Sequence, residues 1–311
     1  MRIVFAGAVD FSRHALVEVL SCGGEVVAVL TLDPAHAGFN SDFVDLSPVA
    51  ERHHIALHRI KNINGPETLE LIRSLKPDVV FVFGWSQLIS KAVLEIPPLG
   101  CIGTHPALLP KNRGRHPLIW TLVHGLSQGG LTFFYLDEGA DSGDILWQKG
   151  FPVTLEDDAG TLYQKIKILA TDAIKEFLPQ LIEGKAPRLA QDHAQANYWR
   201  KRGQSDGEIH WDRPTMEIYN LTRALTRPYV GAHAYHGQDK VLIWRSRLPS
   251  SGVPREANDL AAGAVFSIRE SGIVVRTGDG FLDIVEYEHK GGRVLAPGDR
   301  LGGFEPALMQ N

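Results

Sequence analysis

A parallel-sheet α/β domain followed by a smaller β-rich domain is the architecture predicted by this 311-residue sequence. Three observations carry that reading. Arg2–Ala6 reads as a strand that turns through Gly7-Ala8-Val9-Asp10 into a helix with Phe11, Ala15, Leu16, Val19 and Leu20 on one face. Val79–Phe83 is a continuous apolar run, the pattern of a parallel strand buried on both faces. From Gly231 onward the chain breaks into short strand-like runs with turn signals such as Gly278-Asp279-Gly280, the pattern of a small barrel.

The other elements follow in order. Val26–Leu32 is a second strand. Asp33–Phe43 is a loop with Asp33 and Asp42 but no Lys or Arg, and reads as a solvated connection. Helices are expected over Leu46–His53 and Glu67–Leu75, with a short strand at Ile55–Leu57 between them. After Val79–Phe83, Trp85 is expected to plug the core. Cys101-Ile102 ends a buried strand, and Pro106 and Pro110 keep the next segment out of helix. Leu118–His124 is a helix, and Leu131–Leu136 and Ile145–Val153 are strands. Thr161–Phe177 is an amphipathic helix whose stripe of Leu162, Ile166, Leu169, Ala173 and Phe177 is core. Residues 186–206 read as a linker between domains at 1–185 and 207–311. The basic, aromatic run Tyr198–Arg202 lies within it and suits a solvated end packing Trp199 as well as it suits nucleic acid. Met216–Leu225 is a helix. Strands are then expected at Gly231–Tyr235, Val241–Trp244, Ala264–Ile268, Gly272–Arg276 and Phe281–Tyr287.

Composition narrows the function. A net charge of −4 gives no global attraction to nucleic acid or anionic membrane. No apolar run is long enough to span a bilayer, and the first residues enter a strand without a signal core. The two cysteines, Cys22 and Cys101, make neither a disulfide framework nor a zinc site and read as free thiols of a cytoplasmic protein. The turn after the first strand lacks the dinucleotide glycine fingerprint, and the histidines lack metal-ligand spacing; no metal is expected.

The stretch Leu99–Asp144 holds the candidate chemistry. His105 stands at the carboxyl edge of a sheet strand, where open α/β sheets place ligands. Asp141 and Asp144 stand in a later glycine-rich turn. A carboxylate that orients an imidazole suits removal of a proton from an attacking amine. Arg113 and Arg115 read first as partners of surface acids.

These residues carry a resemblance. THPALLPKNRG and GADSGDI resemble the folate-dependent formyltransferases, as do FAGAVDFSRHAL and TLYQKI, while GEIHW, NLTRAL, PYVGAH and TGDGFLDI resemble the carboxy-terminal domain of methionyl-tRNA formyltransferases and sugar formyltransferases. The similarity spans nearly the whole chain. It implies a Rossmann-like catalytic domain and an OB-like barrel, with 10-formyltetrahydrofolate as formyl donor. By position it implies catalytic places for His105 and Asp141, and a folate pocket lined by Ser86, Gln87, Ile89 and Asp141. Gly103 stands where the family carries a catalytic asparagine that stabilises the formyl oxyanion. Two replacements for the missing donor are open: protonated His105 alone, or the side-chain amide of Asn112.

The expected reaction is formyl transfer to a primary amine on a small molecule, an amino sugar linked to a nucleotide and used for surface glycans. Methionyl-tRNA formyltransferases carry a basic insert where this chain has Asp33–Phe43, so tRNA is disfavoured as acceptor. The alternatives are a methionyl-tRNA formyltransferase with a divergent loop, and a folate-binding protein or formyl-folate hydrolase that lost transferase power through Gly103. No membrane partner is expected, and a homodimer is left open.

Overall fold

The computed structural model describes residues 1–36, 42–249, 259–270 and 272–304. The chain divides into two compact units. The first comprises Met1–Pro117, Gln128–Pro152 and Tyr163–Arg200, and the second Leu118–Ser127, Val153–Leu162 and the chain from Lys201. Among the described residues, no helix is long and apolar enough to cross a membrane.

The first unit opens with β1 (Arg2–Ala6), α1 (Asp10–Ser21), β2 (Glu25–Leu32), α2 (Ser47–Arg52), β3 (Ala56–Ile60), α3 (Pro66–Leu75), β4 (Val79–Val82), α4 (Lys91–Leu94), β5 (Cys101–His105) and β6 (Arg113–Gly114). After α5 (Pro117–Val123) come β7 (Gln128–Tyr135), β8 (Ile145–Pro152), α6 (Ala159–Ile182) and β9 (Tyr198–Trp199). Seven strands form one sheet in the order β3-β2-β1-β4-β5-β7-β8. The first five are parallel, and β7 runs antiparallel between β5 and β8.

Alternation along the central strands builds two cores. Val4, Ala6, Val80 and Val82 face a cluster with Ile63, Ile72 and Val93, against which Trp85 packs as expected. On β4 and its neighbours, Phe81 stacks on Phe83, and Phe133 meets both Phe83 and Phe177 of α6. Burying each such ring contributes about 1.5–3 kcal/mol. The ends of β1 and β4 are knitted by Ser12, whose Oγ donates to the Phe83 carbonyl at 2.6 Å and accepts from the N–H groups of Ala8 and Val9 at 3.1 Å.

The sequence expectations shift in four places. The third strand runs Ala56–Ile60, later than Ile55–Leu57. Helix α4 was not foreseen, because its four residues are too few to show a period. Asp42, expected on a solvated loop, is half-buried and accepts a hydrogen bond from the Tyr163 hydroxyl at 2.8 Å; residues 37–41 of that loop lie outside the described residues. The expected linker 186–206 is not a free spacer. Its residues up to Arg200 belong to the first unit, Gln191 is buried, and β9 pairs in parallel with β6.

The second unit contains α5, α7 (Thr215–Leu225), β10 (Ala232–His236), β11 (Asp239–Arg247), β12 (Val265–Arg269), β13 (Gly272–Arg276) and β14 (Phe281–His289). The five strands form an antiparallel sheet in the order β10-β11-β14-β13-β12. Residues 300–302 bridge both outer strands' ends, Tyr235 to Gly302 and Ala264 to Arg300, so this segment closes the sheet as the barrel expectation requires. Gly278–Gly280 turns the β13–β14 hairpin, with the Thr277 N–H donating to the Gly280 carbonyl at 2.9 Å. Buried Arg223 of α7 donates to the carbonyls of Thr154 and Asp157, both at 2.8 Å.

Candidate active site

The pairing of β4 with β5 ends at Val82 opposite Gly103, whereas β7 continues to pair Thr132 with His105. His105 is therefore the last strand residue and overhangs the end of β4. Its ring is buried. The loop beyond is fastened to β7: Thr132 Oγ1 donates to the Ala107 carbonyl at 2.6 Å, and Gln148 on β8 donates to Thr132 Oγ1 at 2.9 Å and to the Leu109 carbonyl at 2.8 Å.

His105 Nε2 lies 2.7 Å from the main-chain carbonyl oxygen of Asn112. A carbonyl only accepts, so Nε2 carries the hydrogen, and in the neutral ring Nδ1 holds the lone pair. Nδ1 faces the Asp141 carboxylate, 3.6 Å from Oδ2. That oxygen accepts from the Gly114 N–H at 2.8 Å. The arrangement leaves one basic nitrogen beside a fixed carboxylate, as proton removal from an amine requires. Among the described residues, no group of three or more His, Cys, Asp or Glu is arranged to hold a metal ion.

The backbone around this pair is strained. Asn112, His116 and Asp141 have φ values of 62°, 57° and 55°, the left-handed region that side chains other than glycine avoid. Gly143 holds the Asp141 turn close to β7: a Cβ there would lie 1.8 Å from the Tyr135 carbonyl oxygen.

The other site candidates are placed unevenly. Asn112 meets His105 through its main chain, while its side-chain Oδ1 accepts from Asn197 Nδ2 at 3.1 Å. The carboxamide expected to replace the missing asparagine is thus held by Asn197. At Gly103 a Cβ would lie 2.5 Å from Leu136 Cδ2, so Leu136 occupies the space of any side chain there. Gln87 spends its carboxamide on the main chain, accepting from the Ile63 N–H and donating to the Lys61 carbonyl, both at 3.0 Å. Ile89 is buried in the core, and the Ser86 carbonyl accepts from the Arg115 guanidinium. Between them, Leu88 exposes 70% of its surface, an apolar face beside these polar groups. The indole N–H of Trp85 is buried with no partner.

Sequence reasoning missed four residues that shape the site: Arg113 as a buried group, Gln191, Asn197 and Leu136. Arg113 is 2% exposed and, among the described residues, meets no carboxylate; it donates to Gln191, Tyr198 and His193. The available signal is the row of amide side chains at Gln191, Gln195 and Asn197 within the stretch that reads as a linker.

Comparison with known proteins agrees with this architecture. Residues 1–178 match the family described as formyl transferase, and residues 202–305 match the formyl transferase C-terminal domain. A methionyl-tRNA formyltransferase of Citrifermentans bemidjiense is 33% identical over 308 residues, covering 98% of this chain and 94% of the relative. Among solved structures, the N-formyltransferase from Helicobacter canadensis, in complex with folinic acid and dTDP-3-aminofucose, superposes with a TM-score of 0.67 at 20% identity, over 92% of this chain and 99% of that one. Methionyl-tRNA formyltransferase from Clostridium thermocellum superposes with a TM-score of 0.57 at 19% identity, over 81% and 95%. With both domain matches in order along its length, the chain belongs to the formyl transferase family and is an enzyme of formyl transfer.

Proposed function

We propose that this enzyme transfers the formyl group of 10-formyltetrahydrofolate to a primary amine on a nucleotide-linked amino sugar, with His105 as base and Asp141 as its partner. The observation that carries the chemistry is the His105 ring, tied at Nε2 to the Asn112 carbonyl and open at Nδ1 toward Asp141. The acceptor amine attacks the formyl carbon and gives its proton to Nδ1. The imidazolium passes that proton to folate N10 as the bond from the formyl carbon to N10 breaks. Asp141 offsets the charge on the imidazolium. Before that transfer, in the tetrahedral intermediate, the imidazolium N–H donates to the formyl oxygen, a role worth roughly 3 kcal/mol where one oxyanion contact has been removed in other enzymes. Asn112 acts here through its carbonyl, which fixes the ring. The exposed apolar face of Leu88 suits the flat folate ring, with the main chain around it left to hold the ring's polar edge.

The acceptor reading rests on charge. Asp33–Phe43 contains no Lys or Arg, and residues 201–311 hold as many Asp and Glu as Lys and Arg. Binding to tRNA phosphates relies on cations. A second reading, methionyl-tRNA as acceptor, is favoured by relatives of that name at 31–33% identity over nearly the full chain. One assay decides: incubation with 10-formyltetrahydrofolate and either a panel of amino-sugar nucleotides or methionyl-tRNA, following folate release and product mass. A formylated sugar nucleotide supports the proposal. Formylated methionyl-tRNA alone replaces it with the second reading, and formate release without any acceptor replaces both with hydrolysis.

A further inference from the structure

The geometry points to Gln191 as a positioning residue for Asp141, driven by the buried guanidinium of Arg113. This inference rests on the reading of His105 and Asp141 as the reacting pair. Gln191 is 6% exposed and uses both ends of its carboxamide. Its Oε1 accepts from Arg113 Nη2 at 2.7 Å and Nε at 3.3 Å. Its Nε2 donates to the Asp141 carbonyl at 3.0 Å and to the Gly143 carbonyl at 2.6 Å. The amide is therefore a rigid strut from the His105 loop to the turn that carries Asp141.

Arg113 gives the strut its direction. Its remaining side-chain contacts are with the Tyr198 hydroxyl at 2.8 Å and His193 Nδ1 at 3.0 Å, so among the described residues the buried cation meets no carboxylate. A cation held at the amide oxygen polarises the carboxamide and strengthens donation from its nitrogen, because hydrogen bonds in series reinforce one another away from water. The donated bonds fall on residues that need holding. Asp141 sits at φ 55°, a conformation that persists only where its surroundings enforce it. The neighbouring Gly114 N–H clamps the Asp141 carboxylate from the Arg113 side. Main chain and carboxylate of Asp141 are thus fixed from the same buried centre.

Gln191→Glu separates this role from a merely structural one. The carboxylate keeps the acceptor for Arg113 and gives the buried cation a counter-ion, but it loses both donors to the Asp141 turn. The expected result is an enzyme that still folds, with kcat per folded molecule reduced roughly tenfold to a hundredfold, the scale of a small misplacement of a reacting group. The KM for 10-formyltetrahydrofolate is expected to stay unchanged. Gln191→Asn, which keeps the chemistry but is one methylene too short to span, is expected to lose kcat in the same way and decides the matter if the Glu variant does not fold. A folded Gln191→Glu or Gln191→Asn enzyme with parental kcat overturns the inference. Asp141→Asn measured alongside separates the two claims. If it is inactive while the Gln191 variants are fully active, only the positioning role falls; if it is fully active, the reading of Asp141 falls as well.

Discussion

The two units meet the same backbone problem with different residues. In the second unit every described residue with positive φ is a glycine: Gly125, Gly231, Gly237, Gly263, Gly272, Gly292 and Gly298. In the first unit five side-chain-bearing residues adopt that conformation, and three of them, Asn112, His116 and Asp141, lie on the loops around His105. A glycine turn costs no side-chain strain but offers no functional group. A left-handed Asn, His or Asp costs about 1–3 kcal/mol and must be enforced by its neighbours. The enforcement is visible as Arg113, Gln191 and Asn197 bonding to the same loops. The contrast marks where the molecule tolerates strain to aim a side chain and where it only turns the chain.

The largest expected effects test that division. His105→Ala or Asp141→Asn should lower turnover by at least roughly two orders of magnitude, the usual worth of a placed acid/base group, in enzyme that remains folded. Gly263→Ala should do the opposite. Its φ is 85° and the new Cβ would lie 2.0 Å from the Leu301 carbonyl oxygen, so stability should fall by about 1–3 kcal/mol while turnover per folded molecule stays the same. Calorimetry beside steady-state rates reads both. If His105→Ala unfolds the protein or Gly263→Ala abolishes turnover in folded enzyme, the division fails.

Gly103 gives an intermediate effect. Restoring a side-chain amide by Gly103→Asn should not raise turnover, because Leu136 fills that space, and overpacking should cost about 1–3 kcal/mol. Gly103→Asn combined with Leu136→Ala should recover stability relative to the single variant. A stable, more active Gly103→Asn enzyme would show that Leu136 yields easily.

The smallest effect is on stability alone. Burial holds the Asp42 carboxyl above its ordinary range, against the hydrogen bond from Tyr163, which pulls the other way. The folded chain therefore binds this proton more tightly than the unfolded chain. Stability falls as pH rises from the ordinary carboxylate range through the raised value, and stays lower above it. Asp42→Asn keeps an acceptor for Tyr163 without the charge. It should raise the thermal midpoint at neutral pH, with the gain vanishing at acidic pH where Asp42 is protonated. A gain that persists unchanged into acid would contradict this.

Much of the framework was legible because it is periodic. The apolar run Val79–Phe83 and the short strand-like runs with turn signals after Gly231 mark the two sheets without any tertiary knowledge. His105 and Asp141 were legible from their place at strand ends and from family resemblance. Arg113, Gln191 and Asn197 were not, because a polar network has no period: its partners lie about 80 residues apart and look individually like surface residues. Composition misled in the same way over residues 186–200, where few apolar residues suggested a spacer although Gln191 is buried and Asn197 bonds to the main chain of Asn112. The packing of Leu136 over Gly103 was likewise beyond reach, since it depends on β5 and β7 lying side by side.

The central claim is that the fold delivers one ring nitrogen of His105 to the substrate. The nitrogen NMR spectrum of labelled histidine, with the His105 signals assigned by their loss in His105→Ala, tests it most directly. The account predicts that the neutral ring is protonated at Nε2, in a hydrogen bond to the Asn112 carbonyl, and unprotonated at Nδ1, which faces Asp141. A neutral ring protonated at Nδ1, with a free Nε2, would contradict it.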